Sequence, residues 1–286
     1  MSEQPSIPPS MSFPTSLGTS DAQQIRLLGH DLTAELMGQV SFAELSYWMV
    51  TLRRPTLGQT RVLEAVLVAL ADHGFTPTAI AARLTYLSAP DSLQGALAAG
   101  LLGGGSRFLG VTEDCGSYLN AAIEGLDGPL PTDDAGWDVL ALDTVRATRE
   151  AGKFVPGLGH PVHKQGDPRT PVLIGIATDA GTYGPHLALF EAIGRVHDQV
   201  LGRRLPLNGA GVCGAALADI EVPIAMLRGF ALLARAAGLL GQLAEEQRRP
   251  IGMDVYRTVD RNATYVDPRP GPNMGPDTGP DIEEGS

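Results

Sequence analysis

The sequence predicts an all-α fold, and three observations support that prediction. Apolar residues recur at three- and four-residue spacing, as in TRVLEAVLVALADHG, which is the period of an amphipathic helix. Patterns typical of helix starts precede several of these segments. No run of alternating β-branched residues bounded by turns is found, and no internal repeat is visible. With 286 residues, 43% of them hydrophobic, the chain can form one large domain or two interlocked subdomains.

Composition divides the chain into three regions. The N-terminal MSEQPSIPPSMSFPTS has no basic stretch followed by an apolar core, so we expect no secretory signal and a flexible arm over residues 1–20. At the other end, residues 266–286 are dominated by Pro, Gly and acids, which cannot bury enough surface to offset chain entropy. We therefore expect a disordered tail there and a helical domain over residues 21–265.

Within that domain, local patterns predict where helices begin and end. Ser41 followed by Glu44 predicts a capping box, and Thr76 before Pro77 predicts a capped helix with proline at its first position. The helix of TRVLEAVLVALADHG is expected to stop at Gly74. ALAAGLL and GAALADI place small residues where helix backbones can approach closely. Helices therefore pack directly on helices.

The most apolar later segment, Ile224 to Leu243, raises the question of a membrane span. Arg228 and Arg235 lie in its middle, and a charge at bilayer depth is costly. We therefore expect a buried helix of a soluble protein and no membrane partner.

Charge and cysteine content exclude further classes. The net charge of −11, with no cluster of Lys and Arg, argues against a nucleic-acid partner. Cys115 and Cys213 are the two cysteines, far apart and without metal-type spacing. This use of cysteine is typical of two packed thiols in a reducing cytoplasm, so we expect a cytoplasmic protein.

Several common functional motifs are absent. Among the six histidines, His160 and His163 are three residues apart, but they lie in a segment broken by proline, so we expect no metal. The sequence has no nucleophile elbow, no GxxxxGKS phosphate loop and no GxGxxG after a strand. GLLGGGSRFLG is more typical of close packing or a turn than of a cofactor loop.

The segment FVPGLGHPVHKQGDPRTPVL carries the most chemistry. Its two GxG glycines lie between two prolines, which predicts a stiff loop with free backbone N–H groups. In that loop His160 can donate to an oxygen, and Arg169 supplies a fork suited to a carboxylate. From the residues alone, a structural loop with a surface arginine remains an equal alternative.

A resemblance to a known family favours the functional interpretation. GLGHPVHKQGDPR resembles the motif of the citrate synthase superfamily in which Gly-x-Gly-His precedes a basic residue and Asp-Pro-Arg. ADHGFTPTAIAARL and LLARAAGLLGQL are similar to two further helices of that family, and GLLGGGSRFLG resembles the citryl-CoA lyase module of ATP-citrate lyase. The chain is identified as a citryl-CoA lyase-like member. This implies a helical fold with a large subdomain and a small one, the small one at about residues 150–240.

The resemblance implies a site for a 2-oxo dicarboxylate. His160 matches the histidine that hydrogen-bonds the keto or hydroxyl oxygen, and His73 matches a second histidine on the same ligand. Arg169 and Arg235 match the arginines that hold its carboxylates. Arg249 matches an arginine that a neighbouring subunit contributes, so a homodimer or a multiple of one is implied.

The resemblance also implies that the ligands include coenzyme A thioesters, with no metal. Lys164 matches a basic residue near the coenzyme A phosphates. The loop that reads the adenine matches Val155, Gly157, Leu158 and Gly159. A loop that offers backbone groups beside a cation is a reasonable seat for a nucleotide.

Two departures from the family pattern bear on the chemistry. Synthases use a histidine in a PLHGGAN-type segment, whereas residues 92–128 contain none, and the lyase module also lacks it. In LNGAGV the family reads Asn-Val-Asp-Gly, so Ala210 stands where the relatives keep their acid–base aspartate. The next acid, Asp219, lies nine residues on, about 13 Å along a helix, and cannot replace it.

We therefore expect an enzyme that reversibly cleaves a 3-hydroxyacyl-CoA such as citryl-CoA into acetyl-CoA and oxaloacetate. The first alternative is a non-catalytic relative that binds acyl-CoA or dicarboxylate. The second is an acyltransferase of the citrate or 2-methylcitrate synthase type.

Overall fold

The computed structural model describes residues 12–160, 163, 164 and 166–268. In that part of the chain eleven α-helices follow three short strands, which confirms the helical class. The helices are α1 Phe42–Thr51, α2 Leu57–Ala71, α3 Pro77–Ser88, α4 Leu93–Leu102, α5 Val111–Glu124, α6 Asp134–Glu150, α7 Arg169–Asp179, α8 Pro185–Leu201, α9 Gly209–Asp219, α10 Leu227–Arg248 and α11 Gly252–Arg261. Most of the predicted arm and tail lies outside the described residues.

The strands form a small antiparallel sheet near the N-terminus. They are β1 Gly18–Ser20, β2 Ile25–Leu27 and β3 His30–Asp31, in the order β1-β2-β3. A π-helical turn, Leu32–Leu36, follows them. The last residues of the predicted arm, 18–20, thus pair with β2. Strands of two or three mostly exposed residues are too short to show alternation in a sequence.

The predicted helix starts are confirmed, with one difference in detail. Ser41 accepts a hydrogen bond from the Glu44 N–H at the start of α1, but the Glu44 side chain pairs with Arg54 instead of closing the box. Thr76 caps α3, which has proline at its start. A complete capping box, which we did not predict, begins α2 at Thr56.

One main core joins most of the helices. It draws buried residues from α1, α2 and α5 to α10, and a second, smaller cluster joins α3, α4 and α10. The predicted small subdomain, residues 150–240, therefore shares its core with α1, α2, α5 and α6. Cys115 and Cys213 are buried in this core as free thiols, as predicted.

The helix α10 is central to the fold and to the site. It contacts α2, α3, α4 and α5. Among the described residues, the segment Ile224–Arg248 is long and apolar enough to cross a membrane by its length and composition, and 33% of its most apolar stretch is buried inside the fold. The core helix of a soluble protein can be equally long and apolar, and α10 carries a buried arginine, Arg235. The absence of a membrane partner stays a prediction.

Candidate active site

A cavity of about 780 Å³ lies where several parts of the chain meet. They are the end of α2, the start of α3, the segment before α5, the loop before His160 and the first turn of α9, with α10 closing one side. One part of the lining is polar and basic, whereas Leu70, Phe75, Phe108 and Phe154 make another part apolar. The cavity therefore suits a ligand with an anionic head and a less polar body.

The loop before His160 depends on its glycines. Gly157 has φ +85°, and a Cβ there would lie 2.7 Å from a ring atom of Phe190 and 2.9 Å from the sulfur of Cys115. A side chain at this position would thus meet both an unfavourable backbone conformation and a filled space. The loop packs directly on the core as a result.

Asn208 holds this loop against the start of α9. Its N–H donates to the Gly157 carbonyl at 2.9 Å, and its side-chain amide donates to the Gly159 carbonyl at 2.9 Å. Its side-chain oxygen accepts from the Gly211 N–H at 2.8 Å and so caps α9. One buried side chain thereby fixes both the loop and the helix that line the cavity.

The hydrogen bond at His160 determines which ring nitrogen carries a proton. The N–H of His163 donates to Nδ1 of His160 at 2.9 Å, so in the neutral ring Nε2 holds the hydrogen. Burial, and then the neighbouring His163, lower the pKa of His160 below its usual value. At neutral pH His160 is therefore an uncharged donor, which is the form that can polarise a carbonyl oxygen.

His73 and His160 line this end of the cavity, and the ring of His163 lies against both. Their ring centroids are 4.4 Å apart for His160 and His163, 5.6 Å for His73 and His160, and 5.9 Å for His73 and His163. One nitrogen of each lies within 4.8 Å of the others, a spacing that could hold a metal ion. We predicted no metal, because of the proline-broken loop between His160 and His163.

The hydrogen bonding of His160 disfavours a metal at this cluster. Its Nδ1 lone pair is used by a backbone N–H, and Nε2 of the neutral ring bears hydrogen, so neither nitrogen can ligate without breaking this arrangement. Arg169 and Arg235 also line the cavity and would repel a cation. The cluster suits an oxygen or an anion.

Arg169 is held by a buried carboxylate. Its Nε and Nη2 donate to the two oxygens of Asp167 at 3.0 and 2.7 Å, and its Nη1 donates to the Ala69 carbonyl. Burial alone would raise the pKa of Asp167, but hydrogen bonds from Arg169 and from the Gly209 N–H hold it well below its usual range. The flat edge of the Arg169 fork is therefore occupied by Asp167.

Gly209 makes room for that arrangement. A Cβ at this position would overlap the guanidinium of Arg169. Glycine at this position thus leaves room for Arg169 to pack against the first turn of α9.

Arg235 shows the opposite situation. It is only 6% exposed, and its Nε and Nη1 have no hydrogen-bond partner among the described residues. The nearest carboxylate oxygen, from Asp72, lies 3.9 Å from Nη1. Burial, and secondarily Arg169, lower the pKa of this guanidinium. A buried cation with unused donors on a cavity wall is the strongest sign of an anion site in the described structure.

The structure brings together most of the predicted site residues. Those that line the main cavity are His73, His160, Arg169, Arg235, Val155, Gly157, Leu158 and Gly159. Lys164 instead lines a second cavity of about 650 Å³ beside Arg195 and Arg204. Arg249 lies exposed at the end of α10 and lines neither cavity.

The resemblance assigns the family's acid–base aspartate to position 210, which also lies in the cavity wall. Ala210 lies in the first turn of α9 and lines the main cavity. Asp219, at the other end of α9, is committed elsewhere, because its carboxylate accepts from the N–H groups that begin α8 and from the His186 ring. These contacts leave Asp219 engaged away from the cavity.

Sequence reasoning did not assign roles to three residues of this site. In the sequence, Asn208 drew notice only as part of the segment LNGAGV, although an Asn directly before a helix is typical of a helix cap. Asp167 was seen only as part of the Asp-Pro-Arg motif. His163 was noted only for its spacing from His160, and nothing in the sequence places its ring against that of His160.

Comparisons with known proteins show the family of the chain and its fold. The family model described as "Citrate synthase, C-terminal domain" matches residues 19–257. Among curated proteins, a probable ATP-citrate synthase of Caenorhabditis elegans is 24% identical over 275 residues, which is 90% of this chain and 24% of that protein. The chain thus spans about a quarter of the length of that relative.

Two solved structures are similar over nearly the whole chain. Citryl-CoA lyase from Hydrogenobacter thermophilus is 28% identical, with a TM-score of 0.78 over 92% of this chain and 97% of that one. ATP citrate lyase from Methanothrix soehngenii, in complex with citrate and coenzyme A, is 21% identical, with a TM-score of 0.75 over 92% of this chain and 43% of that one. Because the family model covers most of its length, the chain belongs to the citrate synthase family.

Proposed function

We propose that this protein is a citryl-CoA lyase-like enzyme, which reversibly cleaves citryl-CoA or a related 3-hydroxyacyl-CoA into acetyl-CoA and oxaloacetate or a related 2-oxo acid. The observation that carries the proposal is the presence of Arg235 and His160 in the lining of the same cavity. Arg235 is a buried cation with unused donors, and His160 is a neutral Nε2–H donor. A carboxylate held by the first would present its neighbouring oxygen to the second.

The chemistry follows from charge. When the C–C bond of a 3-hydroxyacyl thioester breaks, the hydroxyl oxygen becomes a carbonyl oxygen and negative charge moves onto the thioester. His160 donates to the oxygen throughout, and a preorganised donor of this kind typically contributes about 10²- to 10³-fold to the rate. Arg235 fixes the carboxylate, with Arg169 and His73 beside it in the cavity wall.

Coenzyme A is the proposed carrier of the acyl group, as substrate and product. The backbone of 155–159 and the apolar side chains at 108 and 154 line the part of the cavity available to it. The similar Hydrogenobacter protein is a citryl-CoA lyase, and the Methanothrix structure contains citrate and coenzyme A. Lys164, in the second cavity, is the proposed phosphate contact.

A second candidate function rests on Ala210. If the carboxylate that the family uses for proton transfer is replaced by a methyl group, the protein could bind acyl-CoA or dicarboxylate without turning it over. Losing a positioned acid–base group typically costs about 10²- to 10⁴-fold in rate. The absence of a histidine at 92–128 disfavours the third candidate, a synthase-type acyltransferase.

We further propose a cytoplasmic homodimer. Arg249 is exposed and outside the cavity of its own chain, so it can serve a site only if a second copy presents it. A protein that is monomeric by light scattering and still binds its ligand would remove this role.

The test of the proposed function is a product assay with citryl-CoA, in which acetyl-CoA and oxaloacetate are measured. We expect cleavage by the wild-type protein and a loss of about 10² or more in turnover for His160→Leu, which removes the donor. Binding of acetyl-CoA by calorimetry without any cleavage would favour the second candidate. Neither cleavage nor binding at millimolar ligand would contradict both.

The replacement at Ala210 can be tested in the same assay. Ala210→Asp adds a carboxylate in the first turn of α9, where the family pattern has one, and we expect turnover to rise about tenfold or more. Ala210→Asn is the matched control, since it adds similar volume without a base. A rate that is unchanged or lower for Ala210→Asp would mean that the site does not use a carboxylate there.

A further inference from the structure

The proposed cleavage needs a base that accepts the hydroxyl proton, and the geometry of His160 makes it unsuited to that task. Its Nδ1 accepts the His163 N–H, and its Nε2 already carries hydrogen. Neutral His160 can therefore stabilise the oxygen by donation but has no lone pair to offer it. Another group must take the proton.

The carboxylates near this end of the cavity are already engaged. Asp167 has no exposed side-chain surface and is held by Arg169 and the Gly209 N–H. Asp72 accepts from the Gly74 N–H and from the side chain of Gln242. Both are acceptors whose lone pairs stabilise the fold.

A third carboxylate, Asp114, lines the cavity from α5. Nη2 of Arg228 lies 3.8 Å from it. Two imidazoles, His73 and His163, lie beside the His160 ring and can also accept a proton.

His163 is the better placed of the two imidazoles. Its ring lies 4.4 Å from that of His160, centroid to centroid, at an interplanar angle of 38°, whereas the His73 ring is 5.6 Å away. His163 is half-buried, while His73 is exposed. One nitrogen of His160 and one of His163 lie within 4.8 Å of each other, a separation that one bridging water can span.

We propose that His163 is the general base of the reaction, which rests on the function proposed above. In the cleavage direction the O–H proton passes to a ring nitrogen of His163, directly or through one water. The O–H electron pair forms the C=O bond, and the C–C bond breaks. The C–C pair moves to the thioester as its enolate, which takes a proton from solvent to give the acetyl thioester. His163 then returns its proton to solvent, and no oxidant or reductant is needed.

Side-chain replacement tests this assignment cleanly, because His163 holds His160 through its backbone. The bond to Nδ1 comes from the main-chain N–H, so any substitution other than proline keeps the His160 tautomer. We expect His163→Gln to lower kcat for citryl-CoA cleavage about 10²-fold, with KM within threefold of the wild-type value. His73→Gln is the matched control and should change KM more than kcat.

Chemical rescue adds a readout that a structural role would not give. His163→Ala leaves space beside His160, and added imidazole should restore part of the lost turnover while leaving the rate of His160→Leu unchanged. A chelator should not affect the wild-type rate; if it abolished turnover, a metal at the three histidines would replace this proposal. Wild-type turnover by His163→Gln would overturn the role of His163 alone, whereas a wild-type protein that never cleaves citryl-CoA would overturn the proposed function and this inference with it.

Discussion

Two buried arginines, Arg83 on α3 and Arg235 on α10, differ in how their charge is satisfied. Arg83 on α3 is 1% exposed, and it donates to Gln242 at 2.8 Å and Glu246 at 2.9 Å, with Glu245 at 3.3 Å. Arg235, on α10 itself, is 6% exposed and leaves Nε and Nη1 without partners. The first arginine is paired within the fold, whereas the second keeps donors that a ligand can use.

The difference in pairing between Arg83 and Arg235 arises from the side chains that successive turns of α10 present. Gln242 and Glu246 are four residues apart and so lie on one face of α10, where they meet Arg83 together. Two turns earlier, the same helix carries Arg235 toward the cavity, with Asp72 at 3.9 Å. Gln242 connects the two sites, because its side chain accepts from Arg83 and donates to Asp72. Burial alone therefore does not separate a structural arginine from a binding one; the count of satisfied donors does.

The largest expected effect is on stability, at Arg83. Arg83→Met leaves Glu246 buried without its cation, and we expect a loss of about 3–5 kcal/mol in the free energy of unfolding, measured with urea. The double variant Arg83→Met, Glu246→Met should recover much of this, because both charges are then gone. A loss below about 1 kcal/mol for the single variant would show that Arg83 is not the structural member of the pair.

The next effect is on binding, at Arg235. Arg235→Met removes an unpaired buried cation, so we expect unfolding stability to be unchanged or higher. Affinity for citrate or oxaloacetate should fall about 10- to 100-fold, the value of hydrogen bonds to a charged group. Calorimetry with citrate and urea unfolding on the same samples measure both quantities. A variant that is destabilised and binds normally would reverse the roles given to the two arginines.

The sequence predicted features whose partners are close along the chain, and it did not predict contacts between distant segments. Ser41 and Thr76 start helices as predicted, because a cap and its partner are three residues apart. The loop before His160 could be placed through its resemblance to a family. In contrast, the partners of Arg83 lie about 160 residues away, and no local pattern connects them.

The same limit applies at the site itself. The occupied fork of Arg169 depends on the space left by Gly209, forty residues later, and on the burial of Asp167. The resemblance identified Arg169 as a carboxylate clamp, but the carboxylate it holds here belongs to the protein. Local periodicity cannot show which donors remain unused, because that depends on how distant segments pack.

Arg169 is intermediate between Arg83 and Arg235 in how its donors are satisfied. Removing the charge of its partner, Asp167, should have the smallest of the three effects, and that effect on the free energy of unfolding depends on pH. The pKa of Asp167 is held well below its usual value, so in the acid range the unfolded chain binds a proton there before the folded chain does. The stability it contributes is therefore fully present above about pH 5 and is lost as the pH falls below the unfolded value. Asp167→Asn keeps the shape without the charge, and we expect it to cost about 1–2 kcal/mol at pH 7. That cost should shrink steadily between pH 5 and pH 3.5 in urea unfolding, since the wild-type protein loses the same contribution. If the cost of Asp167→Asn in the free energy of unfolding stays constant over this range, the Asp167–Arg169 pair contributes to stability through its shape and hydrogen bonds alone. Arg169 could then release Asp167 and bind a ligand with little loss of stability.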